Sequence, residues 1–364
     1  MKELQLGVWH RPFERDLSEV RKTLSELKEL GMTQLFVETY FNGQLIYPSV
    51  VSITPPHLFV GEYEDYGKDL LLAFIEEGKK IGVRVHAWVE NFFVGRYDHV
   101  EDSFWYKNQK SWILQNRDHS YLQKNEVNYL FLDPANHEVT AYLSHIYDEL
   151  LKNYEIESLH LDYIRYPLVY QINPPDISDD VGYNDGSLKK FSKQYQIHGD
   201  IEQKLLETDV YQKWCLFKTN IINDFVKNVF DLAKMYDKVL SIAIFGDPSH
   251  ALRHKMQDWS TWIDQSWIAI IIPMAYYQKS IRVYEEVKRL NQFVNGRATV
   301  YAGIAPAYMK LDVDEHEKQL YASRDAGADG IIMFATQNYL SHHFMGESKD
   351  HQELQDMLKK WKEK

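Results

Sequence analysis

The sequence predicts an α/β fold, a single (β/α)8 barrel with long loops after its third and fourth strands. Three observations predict it. Short strand-like runs alternate with runs of helical period eight times along the chain, the pattern of a parallel sheet. No Gly-x-Gly-x-x-Gly fingerprint follows any strand, which favours a closed barrel over a doubly wound sheet. The 364 residues suit one barrel with loop insertions. Residues 1–364 read as one domain, with 166–208 as a small inserted subdomain, because no linker or low-complexity tract divides them.

The first strand, Leu4 to Val8, ends at Trp9, His10 and Arg11. Asp16 reads as an N-cap with Glu19 as its capping-box partner; Leu17, Val20, Leu24 and Leu27 follow at helical spacing, and Gly31 ends the helix. The second strand, Leu35 to Tyr40, leads to a helix from about Gly67 to Ile81. The third strand, Val83 to Glu90, alternates cleanly. Val83, Val85, Ala87 and Val89 face one way; Arg84, His86, Trp88 and Glu90 face the other.

Residues 92–133 form a long segment of the kind that is functional inside compact domains. Asp133 and Pro134 are expected to cap and start a helix to about Asn153. The fourth strand begins at Ser158, carries Leu159, Leu161 and Tyr163 on one face and His160 and Asp162 on the other, and is stopped by Pro167. After the 166–208 insertion come a helix from Asp209 to Tyr236 and a strand from Val239 to Phe245. The last strands are Ile268 to Met274, Thr299 to Ile304 and Gly330 to Phe334, with helices over 281–294, 313–326 and 348–362. His342 and His343 read as surface residues beyond the last strand.

Composition excludes several function classes. A net charge of −12 argues against a nucleic-acid or anionic-membrane partner. The single Cys215 forbids an intramolecular disulfide and any multi-cysteine metal site. No apolar run reaches transmembrane length, and no signal-type segment precedes the first strand. The expectation is therefore a cytoplasmic protein, or an exported one given without its leader. The 25 Tyr and 9 Trp suit a cleft that stacks on sugar rings, and equally suit packing between helices and sheet. Oligomeric state is not legible.

Reactive residues of such barrels collect at strand C-terminal ends. The exits bring Trp9, His10 and Arg11, then Glu38 and Tyr40, then Trp88, Glu90 and Asn91. Asp162, Tyr163 and Arg165 follow, then Asp247, then Tyr276 and Tyr277, and finally Gln337. Carboxylates among aromatics, amides and arginines are the parts for glycosidic cleavage, in which one carboxylic acid protonates the leaving oxygen and a second carboxylate attacks or activates water. Arg165 is expected to hold Asp162 ionised, as a nucleophile or base requires. Glu90, between Trp88 and Phe92, is expected to be raised, as an acid requires. Asp162 and Arg165 also read as a structural ion pair, and Glu38 and Glu90 as hydrogen-bonding groups. His86 and His160 read as hydrogen-bonding residues, so neither a metal nor a cofactor is expected.

The run His160-Leu161-Asp162-Tyr163-Ile164-Arg165-Tyr166-Pro167 resembles the signature of the bacterial glycosyl-hydrolase-like family 10 barrels, placed near the α-galactosidase superfamily. Gly7-Val8-Trp9, Leu35-Phe36-Val37-Glu38, His86-Ala87-Trp88, Leu132-Asp133-Pro134, Gln257-Asp258-Trp259 and Pro273-Met274-Ala275-Tyr276-Tyr277 extend the resemblance over most of the chain. It implies a barrel acting on glycans, in some members bacterial cell-wall polysaccharide, with an Asp nucleophile at the end of strand four, here Asp162. The acid Asp that the wider superfamily has at strand six does not carry over, since Met274, Ala275 and Tyr276 stand there; Glu90 or Asp247 takes that role in this reading. Many members have Gln at the position of Glu38. Members are often exported.

On these grounds the expected activity is that of a retaining glycosidase, with Trp9, Trp88, Tyr163, Tyr276 and Tyr277 as sugar-binding walls and Arg165 and Asn91 orienting the glycan. The alternatives are a carbohydrate-binding barrel without catalysis and a metal-dependent hydrolase.

Overall fold

A computed structural model describes residues 4–340 and 348–362 of the chain. His342 and His343 lie outside the described residues. Eight parallel strands form the barrel: β1 (Gln5–His10), β2 (Gln34–Phe41), β3 (Arg84–Val89), β4 (Leu159–Leu161), β5 (Leu240–Ile244), β6 (Ile270–Pro273), β7 (Thr299–Ile304) and β8 (Gly330–Phe334). Each pairs with the next, and β1 pairs with both β2 and β8, which closes the ring. The predicted fold class is therefore observed.

Alternation sorts the side chains into two layers. Val8, Val37, Val85, Ala87 and Leu161 point outward and bury against the surrounding helices. Trp9, Phe36, Trp88, Ala243, Ile272 and Ile332 point inward and fill the barrel. The interior also holds a hydrogen-bonded polar chain. His86 bonds Gln34 and Ser158, Ser158 bonds Ser241, and Ser241 bonds His160. His160 accepts from the Trp9 indole N–H at 3.1 Å. Burial pushes both imidazoles down, so they pack as neutral rings.

The local signals held at most helix ends. Asp16 caps the helix Leu17–Glu29 by accepting from the Glu19 N–H, and Gly31 follows with φ 85°. Three boundaries differ from expectation. The second helix starts at Leu70, where the Asp69 carboxylate accepts from the Leu72 N–H. The third runs His137–Asn153 behind an Asn136 cap. Asp133 instead accepts from Ala135 N–H and from the Ser187 hydroxyl, and so ties this corner to the insertion. Strand β4 stops at Leu161 rather than at Pro167, because Tyr163 turns the chain with φ 48°.

The long segment after β3 is folded: Phe93–Arg96 pairs antiparallel with Tyr129–Phe131, and a short helix spans Phe104–Asn108. The insertion carries a helix, Asp185–Tyr195, and packs on the helix Thr208–Met235. A fully buried ion pair, Lys218 to Asp180 at 2.5 Å, joins the two, and the Trp214 N–H also donates to Asp180. Among the described residues no helix is long and apolar enough to cross a membrane.

Candidate active site

The strand C-terminal ends surround an open cleft of about 760 Å3. Trp9 and Trp88 line it from inside the barrel. Trp9 has its place because Gly303 on β7 has no side chain: a Cβ there would lie 2.7 Å from the Trp9 ring. One aromatic group comes from the β3–β4 side of the ring. There Tyr163 stacks on Phe93 at 4.6 Å, with Tyr129 beside them. Another comes from the β6–β8 side, where Tyr276 stacks on Phe334 at 5.9 Å.

Asp162 lies in this cleft at the end of β4. Its backbone is clamped: its N–H donates to Val89 O, and its carbonyl accepts from the Asn91 amide. The Asn91 side chain is in turn held by the Tyr147 hydroxyl at 2.7 Å. Burial pushes the Asp162 carboxyl up; the Tyr163 N–H at 2.7 Å, Arg165, Arg11 and the Trp88 indole oppose it without reversing the direction.

This corrects the expectation that Arg165 holds Asp162 ionised. Both ends of the Arg165 guanidinium close on Glu126, at 3.0 and 2.6 Å. Glu126 also accepts from the Leu168 N–H at 2.8 Å and faces Lys255 at 3.7 Å. Burial alone would raise Glu126; Arg165 and Lys255 outweigh it and hold its carboxyl down to about 2. The Arg165 charge is thus largely balanced before it reaches Asp162.

A second charged cluster lies at the exits of the first three strands. The Arg11 Nε stands 3.2 Å from Glu38 Oε2, and its guanidinium packs over the rings of Phe41, Trp88 and Phe334. Glu38 and Glu90 are both wholly buried, and Glu90 accepts from the Asn42 N–H at 2.7 Å. Both oxygens of Glu38 and the other oxygen of Glu90 lack a full hydrogen bond. Burial, then the nearby Glu38 carboxylate, pushes Glu90 well up; burial also raises Glu38, against the pull of Arg11. One cation facing two dry carboxyls favours the protonated form at Glu90, where burial and the neighbouring carboxylate act in the same direction.

Of the predicted site residues, the cleft takes in Trp9, Arg11, Trp88, Asp162 and Tyr163. It also takes in Arg165, Tyr276, Tyr277 and Gln337. Others stand away from its lining. His10 is buried between Thr336 and Glu14, Tyr40 is buried in the outer layer, and His86 and His160 belong to the barrel's polar chain. Asn91 clamps backbone. Asp247 is exposed, caps the helix Pro248–Lys255 by accepting from the His250 N–H, and is not among the residues that line the cleft. Among the described residues no three His, Cys, Asp or Glu side chains group as a metal site.

Sequence reasoning missed Glu126, Tyr129, Phe245, Tyr308 and Phe334, all of which line the cleft. The strand-exit rule could have found Phe245 and Phe334. Glu126 and Tyr308 sit in loops, and Tyr129 opens the short strand Tyr129–Phe131, with no local pattern to mark any of the three.

A model of the family described as glycosyl hydrolase-like 10 matches residues 8–319. The chain is 25% identical over 174 residues to the glycosyl hydrolase YngK of Bacillus subtilis (strain 168). That match covers 48% of this chain and 32% of that protein, so the chain spans about a third of the curated relative. Its fold is similar to the catalytic domain of β-amylase from Paenibacillus polymyxa, at TM-score 0.63 and 11% identity over 99% of both chains. It is also similar to β-galactosidase from Marinomonas ef1, at TM-score 0.65 and 10% identity over 99% of this chain and 60% of that one. A third likeness is α-L-fucosidase isoenzyme 2 from Paenibacillus thiaminolyticus, at TM-score 0.62 and 10% identity, covering 98% of this chain and 48% of that one.

Proposed function

Because the chain belongs to the glycosyl hydrolase-like 10 family, we propose that it hydrolyses glycosidic bonds in an oligosaccharide or polysaccharide, with Asp162 as the reacting carboxylate. The observation that carries this reading is Asp162 itself, a clamped carboxylate at the end of β4 in an aromatic cleft. Aromatic faces from both sides of the ring suit the apolar faces of sugars, and Arg11 and Gln337 offer donors to hydroxyls.

The acid and base roles follow from unequal environments. Four groups favour the charged form of Asp162: the Tyr163 N–H, Arg165, Arg11 and Trp88. Glu90 has Arg11 and the Asn42 N–H, and these are opposed by Glu38 as well as by burial. Asp162 therefore ionises first and serves as nucleophile or base. Glu90 keeps its proton and serves as the acid, with Glu38 as the neighbour that keeps the proton there.

Asp162→Asn tests the first role: turnover of the true substrate falls by about a thousandfold or more at unchanged melting temperature. Wild-type hydrolysis by that variant overturns it. Glu90→Gln tests the second. Its rate on an aryl glycoside with a good leaving group recovers towards wild type, while its rate on a sugar leaving group stays low.

One observation favours a second reading, a carbohydrate-binding barrel without catalysis: Glu90 is wholly buried and does not line the cleft. Glycan binding without new reducing ends, across a broad panel, supports that reading against the first.

A further inference from the structure

Tyr308 is a large aromatic residue 64% exposed at the rim of the cleft. It does not stand on a slack loop. The turn after β7 is laced by backbone bonds from Met309 N–H to Ala305 O and from Leu311 N–H to Pro306 O, and the Gln278 side chain donates to Met309 O. The ring continues an aromatic series out of the cleft. Tyr276 and Phe334 stack at 5.9 Å, and Tyr308 meets Phe334 edge-on at 5.9 Å and Tyr276 at 6.3 Å. Tyr276 is close enough to feel the Asp162 charge. The strand that bears the Tyr308 turn, β7, is three places round the ring from β4, which bears Asp162. Tyr308 and Asp162 thus enter the cleft from different strands, with Tyr308 at the exposed rim.

The geometry points to Tyr308 as the platform of an outer sugar subsite, so that the substrate is a chain of two or more pyranose units rather than a single-sugar glycoside. The inference rests on the glycosidase reading of the same cleft. A pyranose has one face rich in C–H groups, and laying it on an exposed ring removes apolar surface of both from water while its hydroxyls stay solvated. An aromatic face fixed by its own turn loses little freedom on binding, which is what a subsite needs to add affinity.

The test uses the full chain carrying Asp162→Asn, so that binding is read without turnover. The probes are glucose, N-acetylglucosamine, xylose and mannose, each as monomer and as β-1,4-linked oligomers up to six units, measured by calorimetry. In at least one series Kd falls with length, and the gain from monomer to hexamer shrinks roughly tenfold when Tyr308→Ala is added. Tyr308→Phe keeps the gain, because the ring is kept. A gain that survives Tyr308→Ala in every binding series overturns the subsite. A Tyr308-dependent gain, with no new reducing ends from the wild-type chain on that same series, overturns the glycosidase reading and leaves the subsite standing. A panel in which nothing binds overturns both.

Discussion

The guanidinium of Arg165 closes on the carboxylate of Glu126, at 3.0 and 2.6 Å, and not on Asp162 three residues before it. The pair brings a loop residue and the segment after β4 together in the cleft wall, and it leaves the charge on Asp162 to be set mostly by burial and by the Tyr163 N–H.

Glu126→Gln leaves Arg165 and Lys255 facing each other without their carboxylate. Breaking a buried pair in this way costs roughly 3–5 kcal/mol of stability at neutral pH. The pH dependence has a defined sign. The folded-state value of Glu126 is lowered from 4.5 to about 2, so its contribution is complete above about pH 4.5 and fades as pH falls towards 2. Urea unfolding of both proteins along that range measures it: the gap between them narrows with acidification. A gap that stays constant removes the linkage.

Glu38→Gln removes the nearest charge that keeps the proton on Glu90. The Glu90 carboxyl then loses its proton more easily, and the alkaline limb of kcat/KM moves to lower pH. A pH–rate profile of variant and wild type on one substrate reads the shift. An unmoved limb separates Glu38 from the acid.

Gly303→Ala places a methyl 2.6 Å from Pro273 O and 2.7 Å from the Trp9 ring. The overpacking costs about 1–3 kcal/mol. Because Trp9 lines the cleft, glycan affinity falls along with the melting temperature. Wild-type values of both show that the barrel accommodates the methyl.

The eight-unit ring, the layer to which each β3 side chain belongs, and the caps at Asp16 and Gly31 were legible in the sequence, because strand alternation, helical period and capping act over a few residues. So was the position of Asp162, since a residue at a strand's C-terminal end must open onto one face of a closed barrel. Partnership was not legible. Arg165 meets Glu126 across 39 positions, Trp9 meets His160 across 151, and Arg11 meets Glu38 from another strand. Spacing along the chain carries no record of such pairs, because they exist only once the ring has closed. The same closure decided which strand-end groups line the cleft and which are buried: Asp162 lines it, while Glu38 and Glu90 have no exposed surface and meet it through Arg11. Burial and neighbouring charge, which set the proton affinity of all three carboxyls, are properties of the packed barrel and not of any stretch of sequence.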